Sequence, residues 1–213
     1  MTGPHALVPE DIEGRPIVAF DFDGTLTTID TFRHFLRWHA GPLKYAHGLT
    51  AMSLSLLRQN GVRQSRTRIK SAAITRFWAG MTEHELSAAA DAYAETAAPR
   101  ILRPDALSTW QEWQEKGALM LIVSASLEVQ VAPFARRLGA DLLIGTRLEL
   151  DANGRITGAL IGETCRGIEK SARLRQTLGK DVVLTAAYGD SSGDTEMLAM
   201  AEQPGYRVFR AKP

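Results

Sequence analysis

Two aspartates, Asp21 and Asp23, stand one residue apart where the apolar run Ile17–Phe20 ends, and Gly24 and Thr25 follow at once. Side chains alternate along an extended segment, so both carboxylates can face one crevice. Like charges held that close are costly unless a cation joins them. Carboxylate oxygens suit Mg²⁺, which keeps several waters and takes one or two carboxylates together with phosphate oxygens. Taken alone, the pair also suits a strand-end cap or a solvated turn. Three further stretches bear on the choice. "LIVSAS" brings Ser124 to the end of a second apolar run, where its hydroxyl and the N–H groups after it, beginning at Ala125, can hold phosphate oxygens. A serine there is equally a helix N-cap. "AAYGDSSGDTEML" closes a third run with Asp190 and sets Asp194 at a helix start, a place an acid also takes for the helix dipole. Lys170, in "CRGIEKSARL", lies on a helical pattern where a solvated lysine is the ordinary reading. Acids, a hydroxyl and a cation at strand ends and helix starts form a combination that chance rarely assembles.

These residues need a sheet to gather them. Residues 17–20, 119–123 and 182–187 read as fully buried parallel strands. Between them run helical patterns: "RPDALSTWQEWQEKG", with Pro104 early and Gly117 as a stop, and two more that end on Gly139 and Gly179. The alternation predicts an α/β fold with a mostly parallel sheet, whose ligands bind beyond the carboxyl ends of the strands. Residues 31–100 carry helical patterns and no convincing strand, which predicts a helical insertion after the first strand. The expected division is a core of residues 1–31 and 101–213 with a helical cap of residues 32–100. "RLELDANGRITGAL" alternates around Asn153 and Gly154, a hairpin signal.

Composition narrows the partners. A formal net charge of +1 gives no field that would draw nucleic acid. Cys165 is the single cysteine, so no intramolecular disulfide forms and a reducing cytoplasm is expected. The N-terminal stretch lacks the basic start and apolar centre of a signal peptide. Residues 45–57, "YAHGLTAMSLSLL", fall short of the ~18 apolar residues of a spanning helix. No transmembrane segment is expected there, only a packed or interfacial amphipathic helix.

"DFDGTLT", "VSAS", Lys170 and "GDSSGD" resemble, in order, the four motifs of the haloacid dehalogenase (HAD) superfamily. The segment from Arg147 to Lys170 and the insertion after the first motif are similar to its phosphoserine-phosphatase-like branch, subfamily IB. The resemblance spans about residues 17–213. It implies a Rossmann-like core with a helical cap and a Mg²⁺-dependent phosphomonoester hydrolase. Asp21 would be the nucleophile that forms an aspartyl-phosphate, and Asp23 the general acid and base. Mg²⁺ would be held by Asp21, the backbone carbonyl of Asp23 and Asp190, with Asp194 orienting the metal shell. Lys170, Ser124 and Ala125 would hold the phosphoryl oxygens. Dehalogenases lack an acid at the place of Asp23, so the pair implies phosphate chemistry.

The cap implies less about substrate. Asp30 stands where phosphoserine phosphatases place an acid for the substrate amine. Arg68 fills the place of their carboxylate-binding arginine only with a one-residue slip, and Val62-Arg63 replaces their Phe-Glu. Gly193 replaces an asparagine of the fourth motif. "DTFRHFLRW", "CRGIEK" and "YRVFRAKP" are similar instead to bacterial hydrolases of the branch that include phosphatidylglycerophosphatase C-like enzymes. Expectation therefore divides between a small soluble phosphomonoester and a lipid phosphate met at the membrane surface. Arg63, Arg66, Arg68 and Lys70 would then face headgroups, or else form a solvated helix face. A binding protein that kept the fold without catalysis is the third reading, opposed by a complete motif set. His34 and His39 read as cap residues, since nothing completes a histidine site around them.

Overall fold

The computed structural model describes residues 14–57 and 66–213, with the backbone alone for residues 52–57. Chain order begins with β1 (Ile17–Phe20), a wide turn (Phe22–Leu26) and four helices: α1 (Thr31–Ala40), α2 (Pro42–Leu57), α3 (Arg66–Trp78) and α4 (Glu83–Ile101). Next come α5 (Pro104–Glu115), β2 (Leu119–Leu127), α6 (Glu128–Leu138), β3 (Leu142–Thr146), β4 (Leu148–Leu150) and β5 (Ile156–Leu160). The chain closes with α7 (Ile168–Leu178), β6 (Leu184–Gly189), a short α8 (Thr195–Leu198) and β7 (Ala201–Tyr206).

Five parallel strands form one sheet in the order β3-β2-β1-β6-β7. The chain leaves β1 toward β2 on one side and returns to β6 on the other. The carboxyl end of β1 is therefore a topological switch point, where open α/β sheets leave a crevice. Strand alternation divides the core. Val18 and Phe20 face Trp110, Ile122 and Phe134, while Ala19 faces Leu121, Leu174 and Met197.

Most expected elements form. Pro104 opens α5 at its first turn, and Gly139 ends α6 in the left-handed conformation at φ 66°. The hairpin expected at Asn153-Gly154 is β4–β5, whose turn is held by Asp151 Oδ1 accepting from the N–H groups of Asn153 and Arg155. It lies outside the main sheet and packs on α3. A Cβ on Gly158, at φ +100°, would stand 2.1 Å from Thr75 Oγ1, so only glycine permits that approach. Two expectations shift. The third strand starts at Leu184 and runs to Gly189, because Val183 is 58% exposed and belongs to the preceding loop. The second runs four residues past Val123. An unforeseen strand, β7, is a polar edge; Pro204 is tolerated there because an edge strand leaves one row of N–H groups unpaired.

The helical stretch has its own core, in which Phe35, Trp78 and Tyr93 pack ring against ring. His34 and His39 find partners at its edge: His34 Nδ1 lies 2.9 Å from the Tyr93 hydroxyl, and His39 Nδ1 accepts from Trp78 Nε1. Among the described residues no helix is long and apolar enough to cross a membrane.

Candidate active site

Asp21 extends β1 by one more ladder bond, its N–H donating to the Tyr188 carbonyl at 2.8 Å. The turn that follows brings the chain back under itself. Gly24 sits there at φ +87° with the Asp190 carboxylate packed where its Cβ would be, 2.3 Å from Oδ2. That close approach explains why a glycine follows the second aspartate.

Lys170 enters from the first turn of α7 and is 1% exposed. Its ammonium donates to Asp21 Oδ1 at 2.5 Å, Asp194 Oδ1 at 2.7 Å and the Val123 carbonyl at 2.6 Å, which uses all three protons. Asp194 is equally enclosed. Its other oxygen accepts from the N–H and hydroxyl of Ser191, both at 2.9 Å, and from the Asp190 N–H at 3.2 Å. Asp23 points toward the helices. Its Oδ1 accepts from the Thr31 N–H and hydroxyl at 2.8 and 2.5 Å, and its Oδ2 from the Ser126 hydroxyl at 2.5 Å. Gln130, wholly buried, steadies Thr31 by donating to its hydroxyl at 2.8 Å.

The electrostatics follow from this enclosure. Burial pushes the Asp21 carboxyl up to about 7, with Asp194 adding to the rise and Lys170 opposing it. Burial also raises Asp23 and Asp190. Burial alone would lower Lys170, but Asp21 and Asp194 outweigh it and hold the ammonium above its usual range. Asp194 is drawn below the ordinary aspartate value, because Lys170 and the Ser191 donors overcome its own burial. Such a cluster has more negative charge than one lysine balances. Asp21, Asp190 and Asp194 each bring a carboxylate oxygen within 4.8 Å of the others. An all-oxygen set of this kind fits a hard cation such as Mg²⁺. Since Lys170 and Ser191 engage both oxygens of Asp194, Asp21 and Asp190 are the better-placed direct ligands.

A cleft of about 680 Å³ opens above these groups. Asp21, Asp23, Lys170, Asp190 and Asp194 line it, as do Ala125 and Asp30. Asp30 is exposed at the rim and caps α1, accepting from the Arg33 N–H. Two expected residues fall elsewhere. Ser124 is fully buried, its Oγ accepting from the Ser126 N–H, and Ser126 lines the cleft instead. Arg68 is exposed and off the cleft, because the helical period turns Arg66, Ile69, Lys70 and Ala73 of α3 toward it. Arg63 lies outside the described residues.

Sequence reasoning missed three contributors. Lys70 donates to the Ala125 carbonyl at 2.5 Å and holds its charge 4.7 Å above the Phe32 ring, so a lysine of α3 braces the carboxyl end of β2. Its spacing from Arg66 and Ala73 puts the three on one helix face, but spacing alone does not say that this face meets the cleft. Arg166 lines the cleft and donates to the hydroxyls of Ser191 and Ser192, both at 3.1 Å. It stands four residues before Lys170, inside a quoted motif. Ser126 carried no signal beyond its alternation with Ser124.

A parallel sheet that gathers four carboxylates and one enclosed lysine at its switch point defines an α/β enzyme core. The chain belongs to the haloacid dehalogenase-like hydrolases, whose family model matches residues 18–199. It is 53% identical over 197 residues to "Protein CicA" of Caulobacter vibrioides, covering 92% of this chain and 88% of that protein. It is 25% identical over 209 residues to the phosphoserine phosphatase of Methanocaldococcus jannaschii, covering 93% and 87%. Among solved structures, a Bordetella pertussis protein of unknown function superposes with a TM-score of 0.73 at 21% identity, covering 89% of this chain and 88% of that one. A phosphoserine phosphatase solved as a phospho-aspartyl intermediate analogue superposes with a TM-score of 0.60 at 19% identity, covering 89% and 85%. The α/β fold expected from the strand and helix pattern is the fold these structures share.

Proposed function

We propose that this chain is a Mg²⁺-dependent phosphomonoester hydrolase that works through an aspartyl-phosphate on Asp21, with residues 32–100 as its substrate-selecting cap. The observation that carries the reading is Lys170, enclosed and bonded to Asp21 and Asp194 beside Asp190 at the switch point. A carboxylate oxygen of Asp21 attacks phosphorus in line, and the bond from phosphorus to the ester oxygen breaks. Asp23 gives its proton to the departing oxygen; its burial favours the protonated form that this step needs. Asp23 then takes a proton from water as that water attacks the aspartyl-phosphate, which releases inorganic phosphate and restores Asp21. Lys170 fixes the nucleophile and faces the phosphoryl oxygens. The N–H of Ala125 receives them too, with Ser124 holding the end of β2 in shape by accepting from the Ser126 N–H. Mg²⁺, held by Asp21, Asp190 and the Asp23 carbonyl, supplies when bound the charge that lets an anionic nucleophile meet an anionic phosphate.

The substrate is a small phosphorylated molecule, and the buried free thiol of Cys165 supports a cytoplasmic setting. Release of inorganic phosphate from acetyl phosphate, with and without Mg²⁺, tests the reading. Turnover that needs the metal and disappears in Asp21→Asn is expected. Metal-independent turnover, or turnover that survives Asp21→Asn, overturns it.

A further inference from the structure

The cleft has two chemically different ends. Its floor holds the carboxylates and Lys170. Its opposite wall comes from α1, α2 and α3 and brings together Phe32, Leu36, Tyr45, Leu49, Ile69 and Ala73, with Arg33, Arg66 and Lys70 beside them. Phe32, Leu36 and Ala73 are buried and form its packed part, while Ile69 is exposed at its edge. We propose that it binds the leaving group, and that the substrate is a phosphomonoester with an apolar alkyl or aryl stem next to the ester oxygen. The inference rests on the phosphatase reading above and adds the class of alcohol released.

Direction is the first argument. In-line attack from Asp21 sends the ester oxygen away on the far side of phosphorus, toward the group that protonates it. That group, Asp23, is bonded to Thr31, the first residue of α1. The stem therefore leaves the phosphate at the foot of α1, where Phe32 is the next residue and Leu36 lies one turn further. Charge is the second. A zwitterionic stem, such as that of phosphoserine, needs partners for an ammonium and a carboxylate three bonds from the ester oxygen. The acid nearest in sequence to Phe32, Asp30, sits exposed at the rim and caps its own helix. The deepest cap cation, Lys70, is turned to the Ala125 carbonyl and the Phe32 ring. Arg33 and Arg66 are exposed at the rim. Charged substituents therefore find partners at the mouth and apolar ones find them at depth.

The test measures kcat/KM with Mg²⁺ for methyl, ethyl, butyl and hexyl phosphate and for O-phosphoserine. Each buried methylene should raise kcat/KM by up to about fourfold until the wall is covered, with O-phosphoserine slower than butyl phosphate. Leu36→Gln should flatten the series. Leu49→Gln, at a half-buried position, makes the same test where the first variant might fail to fold. Butyl- and hexylphosphonate, which cannot be hydrolysed, should bind with the same chain-length order by calorimetry. Hexyl phosphate in free solution against oleyl phosphate in Triton X-100 micelles separates a soluble stem from a lipid one; both bear the proposed stem. A flat series, or O-phosphoserine faster than butyl phosphate, overturns the inference while leaving the phosphatase reading in place. Failure on every ester and on acetyl phosphate overturns the phosphatase reading itself.

Discussion

Replacing Lys170 by methionine keeps most of the side-chain volume and removes one charge from between two enclosed carboxylates. At 2.5 and 2.7 Å, and with an effective dielectric constant of about 20, the lysine attracts each carboxylate by roughly 6–7 kcal/mol before desolvation is counted. Desolvation of three charged groups cancels much of that. Breaking a buried pair by removing one partner costs about 3–5 kcal/mol, because the remaining charge has no counterion. Lys170→Met should therefore lose about that much stability at pH 8 in EDTA, read from urea midpoints. The loss should shrink at pH 5, where a proton on Asp21 can take the lysine's place. Excess Mg²⁺ should recover part of the stability, since a cation neutralises the same carboxylates. Turnover should remain down at least about a hundredfold, because the cation that fixes Asp21 and faces the phosphoryl group is gone. Lys170→Arg should recover little, as a planar fork does not fit a pocket shaped for three converging acceptors. A methionine variant within about 0.5 kcal/mol of the parent, with turnover within threefold, would refute the reasoning for both fold and site, since changes of that size are ordinary for surface positions.

Asp23→Asn should slow hydrolysis of alkyl phosphates far more than of nitrophenyl phosphate, whose leaving group needs no proton; equal losses on both would remove Asp23 as the acid. Without metal, stability should fall as pH rises from about 4 to 7. Asp21, raised from 3.8 to about 7, holds a proton in the folded chain that the unfolded chain releases, and raised Asp23 and Asp190 act with the same sign. Asp194, lowered, contributes stability above the ordinary aspartate value and loses it as pH falls through its own. Urea midpoints at pH 5 and 8 in EDTA check this, and Asp21→Asn should narrow the gap between them. Gly24→Ala should both destabilise the turn and push the Asp190 carboxylate out of place, so calorimetry should find weaker Mg²⁺ binding than in the parent.

The chemical floor of the cleft was legible because strand geometry carries it. Asp21 and Asp190 each follow a buried run, so their meeting at the switch point follows from a few periodic signals, whereas Lys170, on an ordinary helical pattern, was set beside them only by the motif resemblance. Ser124 shows the limit of that reasoning. It stands at the end of an apolar run, yet β2 continues to Leu127, which leaves Ser124 buried and gives the cleft to its neighbours. Strand β7 was not legible because an edge needs neither an apolar run nor a full set of N–H donors, and "AEQPGY" has neither.

Residues 31–100 were legible as helices and not as a surface, for a physical reason. Which face of α3 meets the cleft depends on packing against partners distant in sequence, and those partners leave no period in α3 itself. Gly158 seats the β4–β5 hairpin on Thr75, and Thr67 donates to Glu163 on the segment that leads into α7. Lys70 reaches the Ala125 carbonyl near the carboxyl end of β2. These three ties rotate α3 so that Lys70 and Ala73 face the floor while Arg68 faces away. An arginine chosen by alignment to a motif thus gives way to a lysine chosen by tertiary contact. A floor set by strand ends and a wall set by distant helix contacts can change independently. The same phosphate chemistry can then serve a different alcohol when only the wall is rebuilt.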